Sequence, residues 1–233
     1  MLTDHEIEIS NNAIDFIKEN VNDLISRFIP KRLRVPKAYP VTIFMAGSPG
    51  AGKTEFSERL VLSFNGNLVH IDADKVRTFC PGYDGKNAHI FQGAASLGVN
   101  KLYDYCLKHK FDIIFDGTFA HSNVESNIRR SIDKGRDVQI FYIYQDPLIA
   151  WEFTQKRERV EGRKISKEMF IRGFIEARIN VNRTKIIFGD KIQLNILIKD
   201  IDQNTGDMTS EISSVDPYLP KIYTQDEIMR MIR

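Results

Sequence analysis

The sequence predicts an α/β protein built on a doubly wound, mainly parallel sheet flanked by helices, with a helical extension at its N-terminus. Three observations carry this. Short runs of β-branched and aromatic residues alternate along the chain with longer helix-compatible stretches, the order that winds a parallel sheet with helices on both faces. The first such run, VTIFMA at 41–46, is apolar except for one threonine, as a strand covered on both faces requires. It leads at once into glycines and then a helical pattern over 53–64, a strand, loop and helix unit.

The elements follow in order. Segment 3–28 carries Ile7, Ile14, Ile17, Val21, Leu24 and Phe28. From Ile14 onward the three- and four-residue steps place them on one stripe, so an amphipathic helix or helix pair is expected. Pro30 ends it. KRLRVPKAYP, with Pro36, Pro40, Lys31, Arg32, Arg34 and Lys37, reads as a basic linker, so residues 1–40 form an extension and 41–233 the main domain. Further strands are expected at 68–71, 113–115, 138–144 and 192–198, and helices at 87–109, 122–134, 147–160 and 167–187. LNILIKD, the turn residues 203–206 and MTSEI suggest a hairpin, and 224–232 a short closing helix.

Composition narrows the function classes. The 233 residues are 42% hydrophobic and 27% charged, an ordinary globular balance. No apolar run approaches the roughly 20 residues that cross a bilayer, so a membrane-spanning protein is excluded. The opening MLTDHEIEIS is acidic and lacks the apolar core of a secretory signal, and a cytoplasmic location is expected. Cys80 and Cys106 are isolated, too few for a disulfide framework and without a zinc spacing. A net charge of +2, from 33 basic and 31 acidic residues, supplies no global field toward nucleic acid or membrane. Any anion site is therefore local.

That site is Gly47, Ser48, Pro49, Gly50, Ala51, Gly52, Lys53 and Thr54, which fit GxxxxGK[ST] between an expected buried strand and an expected helix. The fold expected is thus that of the P-loop NTPases. Glycines let successive N–H groups turn toward one anion, and the helix adds its positive end. Lys53 then reaches the β and γ phosphates of ATP, and Thr54 supplies a ligand to Mg²⁺. Nothing resembles the NKxD segment that reads guanine, nor an apolar strand running into paired DE as in motor ATPases. Acidic residues at two further strand ends and an arginine-rich helix instead point to a kinase that brings a second small substrate to the γ phosphate.

Asp72 and Asp74 follow the 68–71 run and fall at the carboxyl edge of the sheet, where open α/β sheets bind ligands. If the strand continued, both would point to one side. Either is a candidate to take a proton from an acceptor hydroxyl, and either is equally a helix N-cap before KVRTF. Arg77, one turn on, faces phosphate or pairs with these acids. Asp116, Gly117 and Thr118 repeat the pattern after 113–115. Asp116 would hold magnesium through water or bind the acceptor, with Thr118 hydrogen-bonding it, unless both only shape a turn. The helix at 147–160 runs into Glu161, Gly162, Arg163 and Lys164. Arg157 and Arg163 are the candidates to stabilise charge on the transferring phosphoryl group, with Gly162 a bend that lets the segment close as a lid. The plainer reading of this charge run is a solvated helix face.

The ordered motifs GSPGAGKT, HIDADKVR, FDGTF and RERVEGRKISKE, spanning 41–198, resemble the zeta toxin family of P-loop kinases. That resemblance implies an ATP-dependent bacterial toxin that phosphorylates UDP-N-acetylglucosamine and so interferes with cell-wall precursor supply. It implies Lys53 and Thr54 as nucleotide and metal residues, Asp74 as catalytic base and Arg157 and Arg163 as transition-state arginines. It also sets Arg77 where the family has an arginine after the catalytic acid. Asp116, Gly117 and Thr118 match the family's EGT-like substrate segment, here with aspartate for glutamate, one methylene shorter. Family toxins are commonly held inactive by a separate helical antitoxin. Residues 1–40 therefore read as a built-in inhibitor, a docking element on the kinase, or simply part of the core. Competing functions are a nucleoside, polynucleotide or other metabolite kinase on the same fold, and a regulatory ATP-binding module. Nucleic acid has only the weak hook of KRLRVPK, which lacks interleaved aromatics.

Overall fold

The computed structural model describes residues 2–121, 123–162, 164–199 and 206–232. Thr3 opens the chain with a capping box, its hydroxyl accepting from Glu6 N–H while Glu6 accepts from Thr3 N–H. Helix α1 (Asp4–Glu19) stops at Asn20, whose backbone and side-chain N–H groups both return to the Phe16 carbonyl, and α2 (Val21–Phe28) follows. The expected helix pair is therefore two helices broken at one asparagine. Pro30 leads into a 3-10 turn at Lys31–Leu33. The proline-rich stretch is tied to the body by Lys37 N–H to the Lys110 carbonyl and Asp137 N–H to the Pro40 carbonyl.

The remaining elements are β1 (Val41–Ala46), α3 (Lys53–Ser63), β2 (Val69–Asp72), α4 (Ala73–Arg77), α5 (Gln92–His109), β3 (Ile113–Asp116), α6 (Val124–Asp133) and β4 (Asp137–Tyr144), then α7 (Pro147–Glu161), α8 (Lys167–Phe188), β5 (Gln193–Lys199), β6 (Gly206–Thr209) and α9 (Gln225–Met231). The sheet order is β2-β3-β1-β4-β5-β6. The first five strands are parallel and β6 returns antiparallel on β5, so the doubly wound sheet and the terminal hairpin both form as expected.

Two expectations change. The strand does not run on from Asp72 to Asp74. Asp72 accepts the Asp74 N–H at 2.8 Å and caps α4, so the two carboxylates leave the sheet edge from a strand end and a helical turn. The helix expected from 87 begins at Gln92 instead. Asp84 accepts from the Lys86 and Asn87 N–H groups, and Asn87 accepts from Asp84 N–H, local bonds that compete with helix.

Three apolar clusters hold the layers. Ile43 and Met45 of β1, with Ile114 and Ile143, face α3, while Phe44 and Ala46 face the opposite cluster containing Phe170, Phe174 and Val181 of α8. Alternation in a strand buried on both sides produces this division. The third cluster joins Ile17, Leu24 and Ile29 to β2, α4 and α5. The stripe found in the sequence thus faces inward, against the elements that carry Asp74 and Arg77. Among the described residues no helix is long and apolar enough to cross a membrane.

Candidate active site

β1 delivers the chain to the sheet edge and Gly47 to Thr54 wrap there into a loop capped onto α3. Gly50 has φ +76°, and a Cβ built on it would stand 2.0 Å from the Ala150 carbonyl oxygen of α7, so both its conformation and its packing exclude a side chain. Pro49 packs on α8, 3.0 Å from where Gly173 would carry a Cβ. Lys53 is 8% exposed and donates to the Ser48 carbonyl at 2.7 Å. The Ser48 hydroxyl is buried without a hydrogen-bond partner among the described residues, a donor whose partner a ligand would supply.

Parallel pairing sets Asp72 of β2 beside Asp116 of β3 at the same edge. His70, two residues before Asp72, shares its face. Asp116 accepts from Ser57 of α3 at 3.1 Å and lies 3.3 Å from His70 Nε2. Burial pushes the Asp116 carboxyl up, but the His70 hydrogen bond, the Lys53 charge, the His70 charge and the Ser57 hydroxyl together hold it below the ordinary range. Asp72 behaves oppositely. Burial, then the charges of Asp74 and Asp116, raise it above the usual carboxylate value.

Asp74, in the first turn of α4, is paired with Arg77 one turn on, and Arg77 also donates to Gln92 at the start of α5. Arg77 is 8% exposed, so this fork is largely buried beside the sheet edge. Across from it, Gly47 N–H donates to the Thr118 carbonyl at 3.2 Å, joining the phosphate loop to the DGT segment. The Thr118 hydroxyl accepts from Ala120 N–H at 3.4 Å. Phe119 has φ +63°, a strained conformation for an aromatic residue, and its carbonyl is held by Asn180 of α8 at 3.0 Å. Arg157 is exposed on α7, one turn beyond Thr154, which lines the Gly50 contact. Gly162 ends that helix in the left-handed conformation, close to Lys86. Arg163 lies outside the described residues.

The donor set is one imidazole and two carboxylates, of which the carboxylates are the oxygen donors a hard divalent cation takes. His70, Asp72 and Asp116 each offer an atom within 4.8 Å of the others, and the single hydroxyl proton of Ser57 lies between two acceptors, Asp116 Oδ2 at 3.1 Å and the Thr54 carbonyl at 2.9 Å. Thr54 and Asp116 therefore flank one end of α3, with oxygen ligands of the kind magnesium takes beside phosphate. A cation there would offset both the burial and the acidic neighbours that raise Asp72.

A phosphate cradle, clustered carboxylates and a buried arginine fork at one sheet edge are the parts of a phosphotransfer site, and comparison with known proteins agrees. Over residues 28–211 the chain matches the zeta toxin family. The chain belongs to that family. Toxin PezT of Streptococcus pneumoniae serotype 4 is 27% identical over 123 residues, which is 49% of this chain and 49% of PezT; the match thus spans about half of that relative's length. The structure describing the PezAT chromosomal toxin-antitoxin system of S. pneumoniae superposes with a TM-score of 0.63 at 18% identity, covering 100% of this chain and 89% of that one. The native AvrRxo1-ORF1:-ORF2 complex gives a TM-score of 0.65 at 12% identity, over 94% of this chain and 72% of that one. At these identities the superpositions speak for the fold.

Within this zeta toxin frame the structure brings together Gly47 to Thr54, Asp72, Asp74, Arg77, Asp116 and Thr118. Sequence reasoning missed His70, Ser57 and Gln92. His70 was open to discovery, since strand alternation places it on the face of Asp72; Gln92 reaches Arg77 across a loop, and no local pattern marks it.

Proposed function

We propose that this zeta toxin family member is an ATP- and magnesium-dependent kinase that phosphorylates a hydroxyl of a UDP-amino sugar, UDP-N-acetylglucosamine, in the cytoplasm. The observation that carries the reading is the meeting, at one sheet edge, of a complete phosphate loop with Asp74 on a helix capped by Asp72 and braced by Arg77. The family membership supports it.

In the proposed reaction the loop N–H groups and the α3 N-terminus hold the phosphates, and Lys53 exchanges the Ser48 carbonyl for the β and γ oxygens. Asp74 orients the acceptor hydroxyl and takes its proton as the acceptor oxygen bonds to the γ phosphorus. The bond from that phosphorus to the β,γ-bridging oxygen breaks, leaving ADP. Arg157 and Arg163 offset charge on the transferring group, and Arg77 and Thr118 fix the acceptor. Thr54 directly, and Asp116 through water, would hold magnesium, which when bound neutralises charge between the β and γ phosphates. Asp72 keeps Asp74 aimed by capping its helix, and the α1–α2 pair serves as a docking element that braces α4 from behind. A helical antitoxin is the proposed partner in trans, in keeping with the toxin-antitoxin system to which PezT belongs.

The test is incubation of the purified chain with ATP, Mg²⁺ and a panel of UDP-sugars, read by mass spectrometry, with Lys53→Ala as control. Gain of one phosphoryl group on UDP-N-acetylglucosamine, absent in the control, is expected. ATP binding with every UDP-sugar unmodified would overturn the acceptor assignment.

A further inference from the structure

β5, the last parallel strand, ends at Lys199, and its side chain lies across the phosphate loop. A Cβ built on Gly52 would stand 1.9 Å from Lys199 Nζ and 2.8 Å from its Cε. Gly52 is the N-cap of α3, in the left-handed conformation at φ +82°. The ammonium therefore rests on the positive end of a helix, at the residue that precedes buried Lys53 in the chain. Helix N-termini favour anions and disfavour cations, so an ammonium held at Gly52, in the loop whose Lys53 donates to the Ser48 carbonyl, marks a place prepared for negative charge. The buried Ser48 hydroxyl, unpartnered among the described residues, is a second and independent sign of a ligand in the same loop. Glu55, in the first turn of α3, has its Oε2 3.4 Å from the same Gly52 position.

We propose that Lys199 is a nucleotide-binding residue whose ammonium pairs with the α and β phosphates of the bound nucleotide. The inference rests on the nucleotide reading of the loop given above and adds a role for a residue far from it in sequence. The loop N–H groups of such motifs surround the α and β phosphates, whereas the motif lysine reaches the β and γ phosphates. Lys199, over Gly52, stands at the former and Lys53 serves the latter. The two lysines thus divide the work. Lys199 contacts groups present equally in ATP and ADP, so it supplies binding common to substrate and product; an interaction equal in ground and transition states lowers KM without raising kcat.

The test is titration calorimetry of the full chain with Mg-ADP and Mg-ATP, comparing Lys199→Met, Lys199→Arg and Lys53→Ala. Lys199→Met is expected to weaken ADP and ATP alike by about tenfold, the scale of one charge-assisted hydrogen bond. Lys199→Arg should recover most of that loss. Unchanged ADP affinity in Lys199→Met, with Lys53→Ala impaired, would overturn the role of Lys199 while leaving the nucleotide reading intact. Failure of the parent chain to bind either nucleotide would overturn both. Should Lys199→Met not fold, amine acylation of the parent chain decides the matter by peptide mass spectrometry. Protection of Lys199 by saturating Mg-ADP is expected, and undiminished labelling would overturn the proposal.

Discussion

On the phosphate side of the cleft the ligand positions come from main chain, with Gly50 locked against the Ala150 carbonyl and Gly47 N–H bound to Thr118. On the opposite side they come from side chains drawn from β2, β3, α4 and α5, and these side chains offset one another's charge. Asp116 is held ionised by His70, Lys53 and Ser57, Asp74 is paired with Arg77, and Asp72 is raised by burial and then by its acidic neighbours. A backbone cradle is specified by where a Cβ is forbidden. A side-chain constellation is specified by the helices and strands that bring distant residues to one edge, so it is only as firm as the packing behind them.

The largest expected effect lies on the side-chain half. Asp74→Asn preserves shape but removes the proposed proton acceptor, and kcat should fall by about 10²- to 10⁴-fold, the usual worth of a positioned general base. Nucleotide affinity, owned by the other half, should stay within about twofold. Stopped turnover with intact ATP binding, read by product mass and calorimetry, checks this. Full turnover in Asp74→Asn with loss in Asp72→Asn would exchange the roles of the two carboxylates.

The next effect tests whether the halves are mechanically separate. Leu24 is fully buried against α5, within reach of Gly98, in the cluster that also holds Val76 of α4. Leu24→Ala should cost about 2–5 kcal/mol of stability, the range for a large-to-small change in a packed core. Below the melting temperature the variant should bind ATP normally but turn over more slowly, because α4 loses its backing. A parallel loss of ATP affinity would mean that the two halves form one rigid unit.

The same division explains what the sequence makes legible. Eight consecutive residues encode the phosphate loop, and the alternation of VTIFMA with the following helix encodes its setting, so local pattern suffices there. α4 is five residues long, too short to show a helical period, and its start depends on Asp72 turning from strand residue to cap. The pairing of Asp72 with Asp116 comes from the β2-β3 register, which is a property of the folded sheet. Lys199 meets Gly52 only because β5 joins the sheet two strands from β1. The arginines fare unequally for a similar reason. Arg77 is fixed by Asp74 and Gln92 and largely buried, whereas Arg157 stands on an exposed helix face, where a charge run reads as ordinary solvated surface.

The smallest effect is a reversal of sign between two neighbouring carboxylates. Asp72 has its folded-state pKa raised above the unfolded value of about 3.9. The folded chain thus binds more protons than the unfolded one from about pH 4 upward to that raised value, and stability falls across this window as pH rises. Asp116 is depressed, so its contribution is fully present above about pH 4 and is lost as pH falls through its lowered value. Asn caps helices about as well as Asp, so Asp72→Asn removes the charge and keeps the cap. Measured by thermal unfolding in a chelator, Asp72→Asn should melt a few degrees above the parent at pH 7, with the gap closing toward pH 4. Asp116→Asn should melt below the parent at pH 7, with its gap closing only at lower pH. A lower melting temperature for Asp72→Asn at pH 7 would show that His70 and the α4 N-terminus outweigh the acidic neighbours. The carboxylate edge would then be charge-balanced without a cation, and its case as the magnesium side of the cleft would lose its electrostatic basis.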